Sequence, residues 1–119
     1  IAAGDPVCAY RGLSLADGQP IAVFESLFPL TRLSAITAAL KDTSSVTEAL
    51  SRAGVADYTR ASTRLTAVRA TATQALLLQV AEGDPLLRSS GVNIAAQGQP
   101  VEYGRTWFAG DRVTLTLET

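Results

Sequence analysis

The sequence contains 119 residues, 47% of them hydrophobic, and its ten basic residues nearly balance eleven acidic ones. This length and composition suffice for one globular domain, and the balanced, scattered charge argues against direct binding of DNA or RNA. Histidine is absent and Cys8 is the single cysteine, so we expect no metal, no cofactor, no histidine-dependent nucleophile and no internal disulfide.

The first predicted elements are two strands over residues 7–15 and 20–28. Asp17 and Gly18 stand between them, and an Asp-Gly pair between apolar runs is a strong signal for a β-hairpin. The chain is therefore expected to begin with two antiparallel neighbouring strands.

Glu25 is the first candidate functional residue, because alternation places it on one strand face with Ile21, Val23 and Leu27. If that face points inward, the carboxylate is partly buried and needs a partner; a solvated glutamate on an edge strand is the equally weighted alternative. A two-residue turn would place Tyr10 opposite Glu25, whereas a register slip of one would place Arg11 there. Both registers remain open at this point.

Two helices are predicted next. Leu33, Ile36 and Leu40 recur at helical spacing in a segment that begins near Thr31 and ends near Lys41. These residues predict the first helix.

The second helix begins in the stretch DTSSVTEAL, residues 42–50. Ser45 and Glu48 have the S-x-x-E spacing of a capping box, and Gly54 is a typical stop. A capping role accounts for Ser45 and Glu48 on spacing alone. The amides of a helix start can also bind an anion, which is the competing hypothesis for this stretch.

A long strand is predicted from Asp57 to Ala70, in a Thr-rich and roughly alternating segment. The alternation would place Arg60, Ser62 and Arg64 on one face. Three polar side chains on one strand face can converge on an anion, although a plain solvent-facing surface is the commoner arrangement.

The last third contains a third helix and three strands. The helix begins with the box-like Thr71-x-x-Gln74 and ends before Gly83-Asp84-Pro85. The strands are predicted over Leu86–Ala95, Pro100–Phe108 and Val113–Glu118. The order ββααβαβββ predicts an α+β domain, with three helices packed against an antiparallel sheet.

The strand over 100–108 carries two further candidates. Alternation places Glu102, Thr106 and Phe108 on one face, and Tyr103, Arg105 and Trp107 on the other. A glutamate and an aromatic ring on one face can hold a polar ligand, but such pairs are common in sheets.

Three segments carry a resemblance to a known family. LADGQPIAVFESLFP, SVTEALSRAGVADYTRASTRLTA and EGDPLLRSSGVNIAAQGQPVEYGRTWFAGDRVTL together resemble the UTRA ligand-binding domain of GntR-type transcriptional regulators of the HutC subfamily. GVADYTRASTRLTA and VEYGRTWFAGDRV are most similar to the regulators of phosphonate uptake and breakdown.

The resemblance implies a fold similar to chorismate lyase without its enzymatic activity. It also implies a homodimeric sensor, residues 1–119, that binds a small anionic metabolite and controls DNA binding by a winged-helix domain preceding Ile1. We therefore expect a fragment of a cytoplasmic bacterial repressor that meets DNA only through that missing domain. The sequence shows no transmembrane span or signal peptide, so no membrane contact is expected.

In related sugar-phosphate sensors the anionic group is held at the helix start that matches Ser45 and Thr47. Those sensors have an R-x-R pair where this chain has Gly12 and Ser14. This departure leaves Arg11 nearby and makes the arginines of the long strand candidates for the missing charge. Glu25 and Glu102 match positions that meet the polar body of the ligand, and Phe108 replaces a common tyrosine. The complete candidate set is Arg11, Glu25, Ser45, Thr47, Arg60, Arg64, Glu102 and Phe108.

Two other functions remain as alternatives. A lyase-like enzyme acting on a small acid would use Glu25 as an acid and Arg60 as an electrophile. A ligand-free dimerisation module would leave Ser45 as a helix cap only.

Overall fold

The computed structural model describes residues 4–118 of the chain. Within them the elements run β1 (Val7–Ala16), β2 (Gln19–Pro29), α1 (Ile36–Asp42), α2 (Val46–Arg52), β3 (Tyr58–Arg69), α3 (Ala72–Leu78), β4 (Pro85–Ala95) and β5 (Pro100–Ala109). The five strands form one antiparallel sheet in the order β1-β2-β5-β4-β3. The predicted α+β class, a sheet with three helices packed against it, is confirmed.

The helices cover opposite faces of the sheet. On the α1/α2 face, Phe28 of β2 packs with Ile36 of α1 and Leu50 of α2, all fully buried. On the α3 face, Val23 of β2 packs with Leu78 of α3. Burying each of these large side chains stabilises the fold by about 1.5–3 kcal/mol, so each helix is fixed over its own part of the sheet.

The hairpin of β1 and β2 settles the register left open by the sequence. Asp17 and Gly18 have φ values of 50° and 77°, as a tight hairpin turn with two left-handed residues requires. The register then shifts between Ser14 and Leu15, so that Arg11 rather than Tyr10 lies opposite Glu25. The extra residue of this bulge decides which side chain meets the carboxylate.

The first helix begins later than predicted, at Ile36 rather than near Thr31. The amide of Leu30 donates to the carbonyl of Pro6 at 3.1 Å, and the amide of Leu33 donates to the carbonyl of Pro29 at 2.9 Å. These bonds continue the β1–β2 pairing into a turn. The backbone at the start of the predicted helix is therefore committed to a turn, although Leu33 is buried as its spacing indicated.

The face predicted for the long strand is wrong at one residue. Arg60 pairs with Asn93, and Ser62 pairs with Val92, so Ala61 is an extra residue in a bulge. Neighbouring residues of β4 point to opposite faces. Arg60 therefore lies on the α1/α2 face, whereas Ser62 and Arg64 lie on the α3 face.

The predicted last strand, Val113–Glu118, is also wrong, because this segment is irregular and is not a strand. Both edges of β5 are already paired, with β2 and with β4. The segment therefore cannot pair with β5, and it pairs with neither edge strand, β1 or β3, among residues 4–118. A β-rich sequence forms a strand only where it can pair and pack.

No helix of the described residues is long and apolar enough to cross a membrane.

Candidate functional site

The middle of the α1/α2 face has a floor of small residues. Ser26 of β2 pairs with Gly104 of β5, which pairs in turn with Gly91 of β4. A Cβ added to Gly104 would meet nothing closer than Ser26 Oγ and Glu102 Oε2, both 3.8 Å away. Glycine inside a strand often marks a place where another group approaches the backbone. Here three adjacent strands leave a polar depression.

A fixed carboxylate stands beside this floor. Asn93 Nδ2 donates a hydrogen bond of 2.9 Å to Glu102 Oε1, and Asn93 is buried. The amide therefore orients the carboxylate, while Oε2 remains on the side of Gly104. An oxygen held in this way can accept a hydrogen bond from a hydroxyl or amine of a ligand.

Arg60 supplies a positive charge on the same face. Its guanidinium points end-on at Gly91, so that a Cβ at Gly91 would overlap Nη1 and lie 2.7 Å from Cζ. No carboxylate among residues 4–118 forms an ion pair with Arg60. The glycine thus makes room for an arginine whose hydrogen-bond donors are available to an anion.

The start of α2 is capped, but differently from the prediction. Ser45 Oγ accepts the amide of Glu48 at 3.2 Å, whereas the amide of Ser45 donates to Thr43 Oγ1 at 3.1 Å. The Glu48 carboxylate instead accepts from Arg52 Nε at 3.0 Å. The predicted capping box is therefore only half formed, because Thr43 occupies the amide that Glu48 would have bound.

The other candidates of the α1/α2 face are Thr47 and Phe108. Thr47 Oγ1 shares a hydrogen bond of 2.8 Å with the hydroxyl of Tyr58, which links the start of α2 to β3.

Phe108 pairs with Leu87 of β4 and is half-buried. Phe24 packs so closely on Gly12 that a side chain at Gly12 would overlap its ring. Phe24 and Phe108 therefore lie on the side of the floor away from Phe28, which packs against α2.

Three predicted site residues, Arg11, Glu25 and Arg64, lie on the α3 face instead. Glu25 Oε2 accepts from Arg11 Nε at 2.6 Å, and Glu25 Oε1 accepts from Arg105 Nη2 at 2.5 Å. The Arg105 guanidinium lies 5.2 Å from the ring centre of Trp107. Of the two alternatives left open for Glu25, the structure shows the partly buried carboxylate with a partner, since its side chain is 14% exposed.

These contacts determine the charge of Glu25. The hydrogen bond from Arg105, and then that from Arg11, lower the pKa of the carboxyl below its ordinary value, against the opposing effect of burial. Both oxygens are occupied by arginines of neighbouring strands. Glu25 of β2 is therefore joined by ion pairs to β1 on one side and to β5 on the other. It lies across the sheet from Arg60, so the acid and electrophile considered for a lyase-like enzyme cannot act on one substrate.

Sequence reasoning missed four residues of the depression: Ser26, Gly91, Asn93 and Gly104. The signal available was glycine within strand patterns, at Gly91 and Gly104. Their meeting on adjacent strands depends on the sheet order and on the bulge in β3, which no local pattern indicates.

The family profile of the UTRA domain matches residues 1–114. The chain belongs to the UTRA domain family. It is 36% identical over 116 residues to an uncharacterised HTH-type transcriptional regulator of Rhizobium meliloti strain 1021. That match covers 98% of this chain and 48% of the other protein, so the chain spans about half the length of this curated relative.

Solved structures share the UTRA fold. The ligand-binding domain of a protein described as a GntR-family regulator, from Bordetella bronchiseptica, superposes with a TM-score of 0.81 at 27% identity, covering 98% of this chain and 75% of that one. The effector domain of PhnF from Mycobacterium smegmatis gives 0.89 at 20% identity, covering 100% and 73%. The second likeness shows the fold alone. The expected fold family is thereby confirmed.

Proposed function

We propose that this UTRA domain is the effector-sensing part of a bacterial GntR-type repressor of the HutC subfamily. The match to an HTH-type regulator of about twice the length supports an attached DNA-binding domain. The assignment to phosphonate metabolism rests on the sequence resemblance, and the fold shared with PhnF is compatible with it. The proposed effector is a small anion related to a phosphonate or phosphate.

The observation that carries this proposal is the guanidinium of Arg60, which has no carboxylate partner among residues 4–118 and is directed at Gly91 beside the polar floor. The anionic group of the effector binds Arg60, because guanidinium matches phosphate oxygens bidentately. The polar body of the effector binds the Glu102 carboxylate that Asn93 orients.

Ser45, Thr47 and Phe108 border the proposed site on the same face. The hydroxyls of Ser45 and Thr47 already make internal hydrogen bonds, so we propose that they shape the site at the start of α2 and that Arg60 carries the charge recognition. Arg11, Glu25 and Arg64 lie outside the site.

The sensing mechanism requires that the effector bind two arrangements of the protein with different affinities. We propose a homodimer in which the effector binds one arrangement of the two domains better than another, because only such a difference shifts a conformational equilibrium. A changed arrangement would move the attached DNA-binding domains out of register with their two half-sites.

The test is a thermal-shift titration with phosphate, alkylphosphonates and sugar phosphates. A ligand at a hundred times its dissociation constant stabilises the folded state by about 2.7 kcal/mol, or roughly ten degrees in a domain of this size. The shift should disappear in Arg60→Gln and persist in Arg64→Gln. Both arginines are exposed residues of β3, so they are matched in charge and exposure. Their side chains lie on opposite faces of the sheet, so only Arg60 can reach the proposed site.

Three outcomes would contradict the proposal. A shift lost in Arg64→Gln but kept in Arg60→Gln would place the anion on the α3 face. A shift lost only in Ser45→Asp, which retains a good cap but adds negative charge, would return the anion to the start of α2. No shift with any anion would exclude the proposed class of effector.

A further inference from the structure

Two opposite charges without an ion-pair partner border the floor of the proposed site. Arg60 forms no ion pair with a carboxylate among residues 4–118, and Glu102 forms none with a basic side chain of the same residues. The hydrogen bond that Glu102 accepts from Asn93 Nδ2, at 2.9 Å, comes from a neutral amide. Asn93 therefore orients the carboxylate without balancing its charge.

The position of Glu102 makes this unbalanced charge unfavourable. Glu102 is half-buried, and its strand partner Asn93 and its chain neighbour Val101 are both buried. A carboxylate that is partly removed from water is destabilised unless an opposite charge compensates it. An anion bound at Arg60 adds a second negative charge on the same floor and is repelled by the first. A positive charge on the effector would relieve both effects.

The register of the sheet limits the distance between the two charges. Gly91 and Gly104 are paired residues of β4 and β5, and the Cβ positions of such a pair lie about 4.5–5.5 Å apart. Arg60 Nη1 overlaps the position that a Cβ of Gly91 would take, and Glu102 Oε2 lies 3.8 Å from that of Gly104. Nη1 and Oε2 are therefore at most about 11 Å apart.

This distance limits the length of a ligand that bridges the two charges. A hydrogen bond from Arg60 and another to Glu102 each take up about 2.8 Å. They leave at most about 5 Å between the charged atoms of the ligand. An amine separated from a phosphonate by one or two carbon atoms fits this length.

Two aromatic rings also favour a small ligand. The ring of Phe24 fills the space over Gly12, where an added Cβ would overlap it. The ring of Tyr10, which lies opposite Ser26, packs against Phe24 with 5.6 Å between the ring centres. These rings border the floor on the side of β1 and reduce the space for a bulky ligand there.

We propose that the effector is a short zwitterion, an aminoalkylphosphonate whose phosphonate binds Arg60 and whose ammonium group binds Glu102 Oε2. This inference rests on the anion site of the proposed function and names the chemical class of its ligand. Arg60 contributes to the binding of any phosphonate. Glu102 determines specificity, because its charge distinguishes an ammonium group from a hydroxyl or a methyl group at the same position.

The first experiment compares three ligands of equal length by titration calorimetry on the wild-type protein. Aminoethylphosphonate carries the ammonium group, hydroxyethylphosphonate has a hydroxyl in its place, and propylphosphonate has a methyl group there. Aminoethylphosphonate should bind about ten- to a hundredfold more tightly than either analogue, since hydrogen bonds between charged groups are stronger than those of neutral groups.

The second experiment repeats the titrations on variants that circular dichroism shows to be folded. Glu102→Gln removes the charge but keeps the size of the side chain. It should lower the affinity for aminoethylphosphonate about ten- to a hundredfold, while propylphosphonate binds as tightly as before or more tightly, because a repelling charge is gone. Arg60→Gln should weaken the binding of all three ligands. Glu82→Gln removes an exposed carboxylate between α3 and β4 and should change none of the affinities.

Each outcome decides a specific point. If propylphosphonate or hydroxyethylphosphonate binds the wild type as tightly as aminoethylphosphonate, the zwitterion is overturned and the anion site remains. A preference for the ammonium group that persists in Glu102→Gln overturns the role of Glu102. Binding of inorganic phosphate without any of the three phosphonates overturns this inference alone, whereas the absence of binding by any anion removes the proposed site as well.

Discussion

At the scale of single residues, Glu25 shows how a sheet can bury a carboxylate. Its two oxygens accept from arginines on the two neighbouring strands, Arg11 and Arg105. Arg105 is in turn stacked near Trp107, which adds a cation–π contact. The cluster joins three strands through one charge, so removing that charge affects all of them.

Glu25→Gln should therefore destabilise the domain at neutral pH by about 1–3 kcal/mol, since two arginines lose their counter-charge. The folded-state pKa of Glu25 is lowered. Its contribution is thus present above the ordinary glutamate pKa and is lost as pH falls through the lowered value. The free energies of unfolding of the wild type and of Glu25→Gln, measured in urea, should become equal as the pH is lowered. A difference in stability that grows toward acid pH would contradict this assignment.

Gly91 contributes to the site by having no side chain, which leaves space for the Arg60 guanidinium. Gly91→Ala would place a methyl group on the Arg60 guanidinium and 3.1 Å from the carbonyl oxygen of Ser62. We expect a stability loss of about 1 kcal/mol and anion binding weakened about tenfold, as Arg60 is displaced. Titration calorimetry measures the binding.

The double variant Gly91→Ala/Arg60→Gln provides the control. If Gly91 acts through Arg60, the double variant binds no more weakly than Arg60→Gln alone. Additive losses would mean that the glycine itself contacts the ligand.

At the scale of elements, α2 and α3 show that one sequence signature can produce two caps. In α3, Thr71 Oγ1 accepts from the amide of Gln74 at 3.2 Å, and Gln74 Oε1 accepts from the amide of Thr71 at 3.1 Å. In α2, Thr43 takes the place of the glutamate. The difference arises from a residue outside the four-residue motif.

The caps should respond differently to substitution. Gln74→Ala removes one bond of a complete box and should cost about 0.5–1 kcal/mol, whereas Thr71→Ala, which removes the N-cap itself, should cost about 1 kcal/mol or more. Thr43→Val should weaken the start of α2 by a similar amount to Gln74→Ala, because it frees the amide of Ser45. Chemical denaturation measures all three variants. An unchanged midpoint for Thr43→Val would show that the Glu48 carboxylate returns to complete the box.

At the scale of the whole molecule, the sequence predicted the described strands and the α+β class because alternation and turn residues are local signals. It could not predict the three register shifts of the sheet, of which two determine where candidate residues lie. The one near Ser14 decides the partner of Glu25, and the one at Ala61 separates Arg60 from Arg64. A one-residue insertion reverses every side chain beyond it, so a site built from several strands depends on register that only the assembled sheet determines.

Arg112 links the distant parts of the molecule and supports the last prediction. It donates to the carbonyls of Pro20, Leu78 and Gln79, so the end of β5 is tied to the start of β2 and to the end of α3. Arg112→Ala leaves these carbonyls without their donor and should cost about 2–3 kcal/mol, since the hydrogen bonds come from a charged group. Arg112→Lys keeps the charge but not the planar fork of donors, and should recover only part of the loss.

Asp111→Asn is the matched control, because Asp111 is exposed and lies 3.9 Å from Arg112 Nε. Its effect should stay within about 0.5 kcal/mol. Urea unfolding at one protein concentration measures the series, with the wild-type oligomeric state checked for each variant. A full recovery by Arg112→Lys would mean that charge near the end of α3, rather than the bridging of three segments, stabilises this corner of the fold.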